Sequence, residues 1–155
     1  MARTEYLNDP AAPAPNSIRV AATAFVVRDG QVLMIQRADT RRWALPGGEL
    51  DLGERVAETA VRETREETGV EVFVTGLVGV YSNPRHLLRY SDGEVRQQFS
   101  VCVRAHPLRG EPTTGPESLA VQWVDRKELL DLEIHPEMLL RIGHGFADRP
   151  LPYLG

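Results

Sequence analysis

The chain has 155 residues, of which 42% are hydrophobic and 26% are charged, values that are ordinary for one soluble globular domain. Its net charge of −4 and its pI of about 5.6 predict no broad basic surface, which argues against a nucleic acid polymer or a membrane as a partner. Cys102 is the single cysteine, so an internal disulfide is excluded and a reducing compartment is expected.

The first part of the chain, residues 1–17, predicts an extended arm. Pro10, Pro13 and Pro15 lie close together there, and proline is disfavoured inside a helix. The segment has no apolar core of the kind that a signal peptide needs, and no run of about eighteen apolar residues occurs in the chain. The expectation is a cytoplasmic protein that does not cross a membrane.

The next segment predicts a β-hairpin. Two stretches, Arg19 to Arg28 and Gln31 to Arg37, are rich in β-branched and small apolar residues, and Asp29 and Gly30 form a turn signal between them. Both stretches are apolar on both faces, which is typical of a sheet that is covered on both sides. Helices are therefore expected to pack on this sheet.

The best helix candidate runs from about Glu54 to Thr68. Its apolar stripe is narrow and made of small residues, and Gly69 follows where a left-handed cap is favourable. Later elements are expected as a strand at residues 71–81, a hairpin at 86–105 with its turn at 91–93, a strand at 119–124, a brief helix at 125–131 and a last helix from Pro136 to near Gly143 or Gly145.

This order of elements predicts an α/β fold with a mixed central sheet between helices, an α/β/α sandwich. Residues 18–146 are expected to form a single domain, and the tail, residues 147–155, is expected to be irregular. The proline-rich arm and the tail are segments of the sort that contact a partner subunit, so a homodimer is a hypothesis.

The predicted helix carries an unusual group of acids. Glu63, Glu66 and Glu67 share one face, and the like-charge pair at i and i+4 costs roughly 0.2–0.5 kcal/mol if nothing neutralises it. Carboxylate oxygens are the ligands that magnesium prefers. Before the helix, Gly47 and Gly48 permit a close approach of the backbone to a ligand. A solvated acidic face explains the glutamates alone, but together with this turn they favour a metal site.

The segment from Gly48 to Val70 resembles the Nudix box, whose fixed positions are Gly48, Glu54, Arg62, Glu63, Glu66, Glu67, Gly69 and Val70. Thr64 departs from the pattern, since the family usually has a larger aliphatic residue there. The residues before the box and a late strand around Trp123 are also similar to the family. The resemblance implies a Nudix-like sandwich fold and hydrolysis of a nucleoside diphosphate linked to another group.

By this resemblance, Glu63, Glu66 and Glu67 with the Gly47 carbonyl would hold Mg²⁺ or Mn²⁺. Glu66 or Glu67 would accept the proton from water, and Arg62 would orient the carboxylates. Arg37 matches a position at which relatives contact phosphate, and Gly48 lies where the backbone approaches the substrate. A surface charge explains Arg37 equally well.

The substrate is expected to be a small molecule of the nucleotide type, either ADP-ribose or a nucleotide sugar, or a nucleoside triphosphate. Trp43 and Tyr81 are candidates for stacking on a nucleobase, although a place in the core is the simpler interpretation of both. His86, His106, His135 and His144 show no metal-ligand spacing and are interpreted as structural or surface residues.

Two other functions compete with hydrolysis. The first is a catalytically silent Nudix-fold sensor that binds a nucleotide, and the second is a related non-hydrolytic reaction such as isoprenyl diphosphate isomerisation. A sensor would usually have lost one acid of the box, and none is missing here. An isomerase would need a cysteine near its substrate, whereas Cys102 is predicted to pack inside a strand.

Overall fold

The computed structural model describes residues 3–155, over which it contains ten strands, two α-helices and one 3₁₀ helix. The strands are β1 (Arg3–Leu7), β2 (Ser17–Arg28), β3 (Gln31–Arg37), β4 (Trp43–Ala44), β5 (Gly47–Glu49), β6 (Glu71–Tyr81), β7 (His86–Tyr90), β8 (Val95–Arg109), β9 (Ser118–Asp125) and β10 (Tyr153–Leu154). The helices are α1 (Val56–Thr68), α2 (Pro136–Ala147) and the 3₁₀ helix Arg126–Asp131.

The long strands β2 and β8 form the centre of a mixed sheet. They run parallel, with Ser17 opposite Arg96 and Val26 opposite Ala105. Strand β8 also pairs with β7 and with β6, both antiparallel, and β1 extends the sheet beyond β7. The end of β2 turns into β3, which carries β4 and β9 at its sides. The predicted mixed sheet and both predicted hairpins are confirmed.

Two cores lie on opposite faces of this sheet, because side chains alternate along a strand. Along β2, Phe25 belongs to one buried cluster, which includes Ile142 of α2. Ala24 and Val26 belong to the other, which includes Ala60 of α1. Each face of the sheet is thus covered by a helix, as the apolar character of β2 and β3 predicts.

Helix α1 begins at Val56, two residues later than predicted, because Glu54 still lies in the turn that closes on Asp51. Thr64 is fully buried, and its hydroxyl donates a hydrogen bond to the Ala60 carbonyl over 2.7 Å. A small residue with its polar group satisfied therefore replaces the usual aliphatic side chain on this face. Gly69, at φ +75°, ends the helix in the left-handed conformation.

The two ends of the chain take part in the sheet. Within the predicted arm, Arg3–Leu7 pairs with β7 of the same chain. The tail is not wholly irregular, since Tyr153–Leu154 pairs with β6. Both segments are therefore engaged inside one subunit, and their extended character no longer argues for a dimer. Over residues 3–155, neither helix has the length and the apolar character needed to cross a membrane.

Candidate active site

Strand β5 brings the Gly47–Gly48 backbone against the acidic face of α1. Gly47 lies opposite Thr23 and Gly48 opposite Ala22 in β2. A Cβ atom at Gly47 would collide with the Ala22 carbonyl oxygen, and one at Gly48 would lie 2.5 Å from the Glu63 carboxylate. Glycine at position 47 therefore permits the close approach of β2, and glycine at position 48 permits the close approach of the Glu63 carboxylate.

Arg62 joins the carboxylates of this region to one another. Its Nε and Nη2 atoms donate to the two oxygens of Glu54 over 2.7 and 2.9 Å, which is a bidentate ion pair. Its Nη1 atom donates to Glu63 over 2.9 Å and to Glu66 over 3.2 Å. The Glu49 carbonyl accepts a further bond from Nη2 over 3.1 Å. One guanidinium thus holds the turn before α1 against the helix itself.

Burial and neighbouring charges shift the pKa values of the acids around Arg62 in different directions. The Glu67 carboxylate accepts a hydrogen bond from the Gly47 N–H over 2.7 Å. Burial raises the pKa of Glu67 to about 7, and the nearby charge of Glu63 acts in the same direction. Burial also raises the pKa of Glu63, against the opposing effect of Arg62. By contrast, the hydrogen bond from Arg62 is the main cause that lowers the pKa of Glu54 to about 2.

These donors fit a hard divalent cation. Glu63 and Glu67 present oxygen atoms beside a glycine backbone, and the side chain of Glu66 is 52% exposed at the edge of the group. Two neighbouring carboxyl groups with raised pKa values would be stabilised in their ionised forms by a divalent cation. The Glu54 carboxylate is already paired with Arg62, so its role is to stabilise the turn that precedes α1.

A cavity opens beside the glycine turn. Arg37, Trp43, Gly47 and Gly48 all line it, so the structure brings these four predicted residues together. The Arg37 guanidinium is held by a bidentate pair with Asp39, at 2.9 and 2.8 Å. Trp43 is only 9% exposed, because it belongs to the core as well as to the cavity wall.

The sequence model of a family described as the NUDIX domain matches residues 17–141. The chain belongs to the Nudix family. The relatives that are named by activity include pyrophosphatases and nucleoside triphosphatases, and this chain is a Nudix hydrolase with every charged position of the box present.

Two sequence relatives and one solved structure show what the chain is similar to. It is 37% identical over 126 residues to a "MutT-like protein" of Streptomyces ambofaciens, covering 80% of this chain and 75% of the relative. It is 32% identical over 125 residues to an "ADP-ribose pyrophosphatase" of Methanocaldococcus jannaschii, covering 79% and 70%. Its fold is similar to that of a NUDIX hydrolase from Nitrosomonas europaea, with a TM-score of 0.75, 24% identity, and coverage of 90% and 78%.

Tyr81 does not lie where the predicted stacking role requires. The structure buries it to 2% exposure in the core, where its hydroxyl is 2.9 Å from Nδ1 of His144. Its ring is packed against Tyr153 and the Arg141 guanidinium. A buried ring with neighbours on its faces offers no surface to a nucleobase, so this Nudix hydrolase uses Tyr81 as a core residue.

Two features of the cavity wall have no signal in the sequence. Glu5, His86 and His135 meet there from β1, from β7 and from the residue before α2. Arg141 of α2 lines the same cavity although it is 3% exposed. These residues are separated by long stretches of chain, so no spacing rule connects them, and only the sheet order brings them to one place.

Proposed function

We propose that this Nudix hydrolase is a metal-dependent pyrophosphohydrolase that cleaves a nucleoside diphosphate linked to a second group. The observation that carries the proposal is the position of Glu67. Its carboxyl group is buried against the Gly47 N–H, has a pKa of about 7 and lies beside a second acid, Glu63. Such a group takes up either a proton or a metal ion, and Gly47, whose N–H it binds, also lines the adjacent cavity.

In this proposal, Glu63, Glu66, Glu67 and the Gly47 carbonyl hold Mg²⁺ or Mn²⁺. When bound, the ion neutralises charge on the phosphate oxygens and lowers the pKa of the attacking water. Glu66 or Glu67 accepts the proton that the water loses. Arg62 keeps the carboxylates in position through the bonds that it makes to Glu63 and Glu66.

Substrate binding falls to the cavity. Arg37 lines the same cavity, and its Nε and Nη2 atoms are bonded to Asp39, so we assign its Nη1 atom to contact with a phosphate oxygen. Trp43 supplies an aromatic wall for the nucleotide. The relative named as an ADP-ribose pyrophosphatase supports ADP-ribose or a nucleotide sugar as substrate, and a nucleoside triphosphate is the competing class.

The test is a panel of substrates at slightly alkaline pH with excess Mg²⁺. It contains ADP-ribose, nucleotide sugars, dinucleoside polyphosphates, and normal and oxidised nucleoside triphosphates. We expect one class to be hydrolysed far faster than the others, with no activity when the metal is removed by a chelator. Turnover that persists in the chelator would refute metal dependence, and turnover of no member would refute the enzymatic assignment.

We also propose a cytoplasmic location, which the free and buried thiol of Cys102 supports. A homodimer stays a prediction. Light scattering coupled to size-exclusion chromatography tests it directly, and a monomeric mass at the working concentration of the enzyme would reject it.

A further inference from the structure

Arg141 is a buried cation without a counter-ion. Its side chain is 3% exposed, and no carboxylate oxygen lies within 4.0 Å of it among residues 3–155. Its Nε atom has no hydrogen-bond partner, and its Nη1 atom is 3.4 Å from the Ser100 hydroxyl, which is a weak contact. The Tyr81 ring lies 5.0 Å from the guanidinium carbon. This environment stabilises the positive charge only in part.

The other arginines of the cavity differ from Arg141 in this respect. Arg3, Arg37, Arg42 and Arg96 also line the cavity, and each has a carboxylate oxygen within 4.0 Å. All four are also more exposed than Arg141. The arginine that would gain most from a counter-ion is therefore the one that lacks it.

The acids nearest to Arg141 are occupied elsewhere. Glu5 lies on the cavity wall, but its carboxylate is bonded to His86 and His135. Glu137 acts on Arg141 only through its field and has the Asn83 amide as a neighbour at 3.4 Å. Burial lowers the pKa of Arg141, and these distant acids oppose the shift only in part. The cavity that Arg141 lines is where a counter-ion can reach the guanidinium.

The position of Arg141 relative to the glycine turn follows from the strand register. Ser100, its contact on β8, lies opposite Ala21 of β2, and β2 pairs in turn with β5 at Gly48. Neighbouring strands are about 4.8 Å apart, so β8 and β5 are separated by about 10 Å. Arg141 and Gly48 line one cavity, so a group bound at Arg141 lies within the length of one nucleotide-type molecule from the glycine turn.

We propose that Arg141 binds a second anionic group of the substrate, a phosphate or a carboxylate that is separate from the diphosphate being cleaved. The inference rests on the proposed hydrolase function and narrows its substrate to molecules with such a group. The planar guanidinium can donate hydrogen bonds to two oxygens of one anion, and the Ser100 hydroxyl can donate a third. A neutral carbonyl group would accept the hydrogen bonds but would leave the charge uncompensated.

Matched substrate pairs test this inference. Each pair differs by one distal anion: UDP-glucose against UDP-glucuronate for a carboxylate, and NADH against NADPH or dephospho-coenzyme A against coenzyme A for a phosphate. We expect kcat/KM to be at least about tenfold higher for the charged member of one pair or more, as a charge-assisted hydrogen bond implies. In Arg141→Met this ratio should fall to near one, and in Arg141→Lys it should be intermediate.

The melting temperature of the ligand-free protein is a second measurement, because a structural role for Arg141 and an anion-binding role predict different changes in it. Removing an uncompensated buried charge should leave the melting temperature of the ligand-free protein unchanged or raised in Arg141→Met. Arg104→Met is the matched control. Arg104 is a half-buried arginine outside this cavity, bonded to the Gly145 carbonyl and to Asp148, so its loss should lower the melting temperature and leave the substrate ratio as in the wild type.

The outcomes separate the two proposals. Equal kcat/KM within every pair, or a preference that survives in Arg141→Met, would overturn the anion site while leaving hydrolysis intact. If no pair is hydrolysed, calorimetry is used to compare the binding of the charged and uncharged members to wild type and to Arg141→Met. Tighter binding of a charged member that depends on Arg141 supports the anion site although hydrolysis has failed, and the absence of such binding overturns the site as well.

Discussion

Two clusters of carboxylates with nitrogen partners lie near the cavity, and they differ in charge balance. The box cluster consists of Glu54, Arg62, Glu63, Glu66 and Glu67, in which three of the four acids pair with the one guanidinium. The histidine cluster consists of Glu5, His86 and His135, in which two imidazoles surround one acid. The histidine cluster has the residue types of a transition-metal site, whereas the box cluster has only oxygen ligands.

Hydrogen bonding shows that the histidine cluster is already satisfied. The Glu5 Oε1 atom lies 2.6 Å from Nε2 of His86 and 3.3 Å from Nε2 of His135. Nδ1 of His135 accepts the Glu137 N–H over 3.2 Å, so the proton of the neutral ring is on Nε2 and points at Glu5. A metal ligand needs that lone pair free and its other nitrogen protonated. The residue types of a cluster therefore do not by themselves predict a metal site. An excess of negative charge, together with lone pairs that no hydrogen bond occupies, does predict one.

The largest effect that this comparison predicts is on catalysis in the box cluster. Glu67→Gln keeps the shape of the side chain but removes its charge, so we expect kcat to fall by roughly 10²–10⁴-fold. Initial rates with saturating Mg²⁺ measure the loss. Glu58→Gln, an exposed acid on the first turn of the same helix, is the control and should retain activity. A fully active Glu67→Gln enzyme would mean that the metal site lies elsewhere.

Arg62 is expected to act by positioning the acids. Arg62→Ala should lower kcat/KM by about 10–100-fold and raise the Mg²⁺ concentration needed for half-maximal rate, because loss of a residue that orients ligands weakens metal binding. Arg62→Lys should recover only part, since it cannot bridge Glu54 bidentately. Arg65→Ala, on the exposed side of α1, serves as the control. An unchanged Mg²⁺ requirement in Arg62→Ala would remove the positioning role.

The sequence predicts the site best where the residues of the site are contiguous in the chain. The box lies on one turn and one helix, so the face shared by Glu63 and Glu67 follows from helical spacing. The histidine cluster and Arg141 depend on the order β1-β7-β8-β2 of the sheet, which local patterns do not contain. For Tyr81, the place in the core that is the simpler interpretation of the sequence is the one that the structure shows. The short strands β1 and β10 were missed because their pairing partners are distant.

We expect the histidine cluster to stabilise the fold and not to bind a metal ion. Glu5→Gln weakens the bonds that connect β1 with His86 and His135, so we expect the free energy of unfolding in urea to fall by about 1–3 kcal/mol. Titration of the wild type with Zn²⁺ should show no binding that Glu5→Gln removes. A tight Zn²⁺ signal lost in both Glu5→Gln and His86→Ala would reverse our interpretation of the two clusters.

The smallest expected effect is the pH dependence of the metal-free protein. Burial raises the pKa of Glu67 to about 7 from 4.5 in the unfolded chain, so its stabilising effect is complete below pH 4.5 and is lost as pH rises to about 7. The lowered pKa values of His135 and His144 act in the opposite direction.

The melting temperature of the wild type minus that of Glu67→Gln isolates the effect of Glu67, and this difference should fall by a few degrees between pH 5 and pH 8. Excess Mg²⁺ should oppose this fall, since the ion binds the ionised carboxylate. A difference that is flat across this range without metal would show that Glu67 ionises as an ordinary surface acid, and that burial does not raise its pKa.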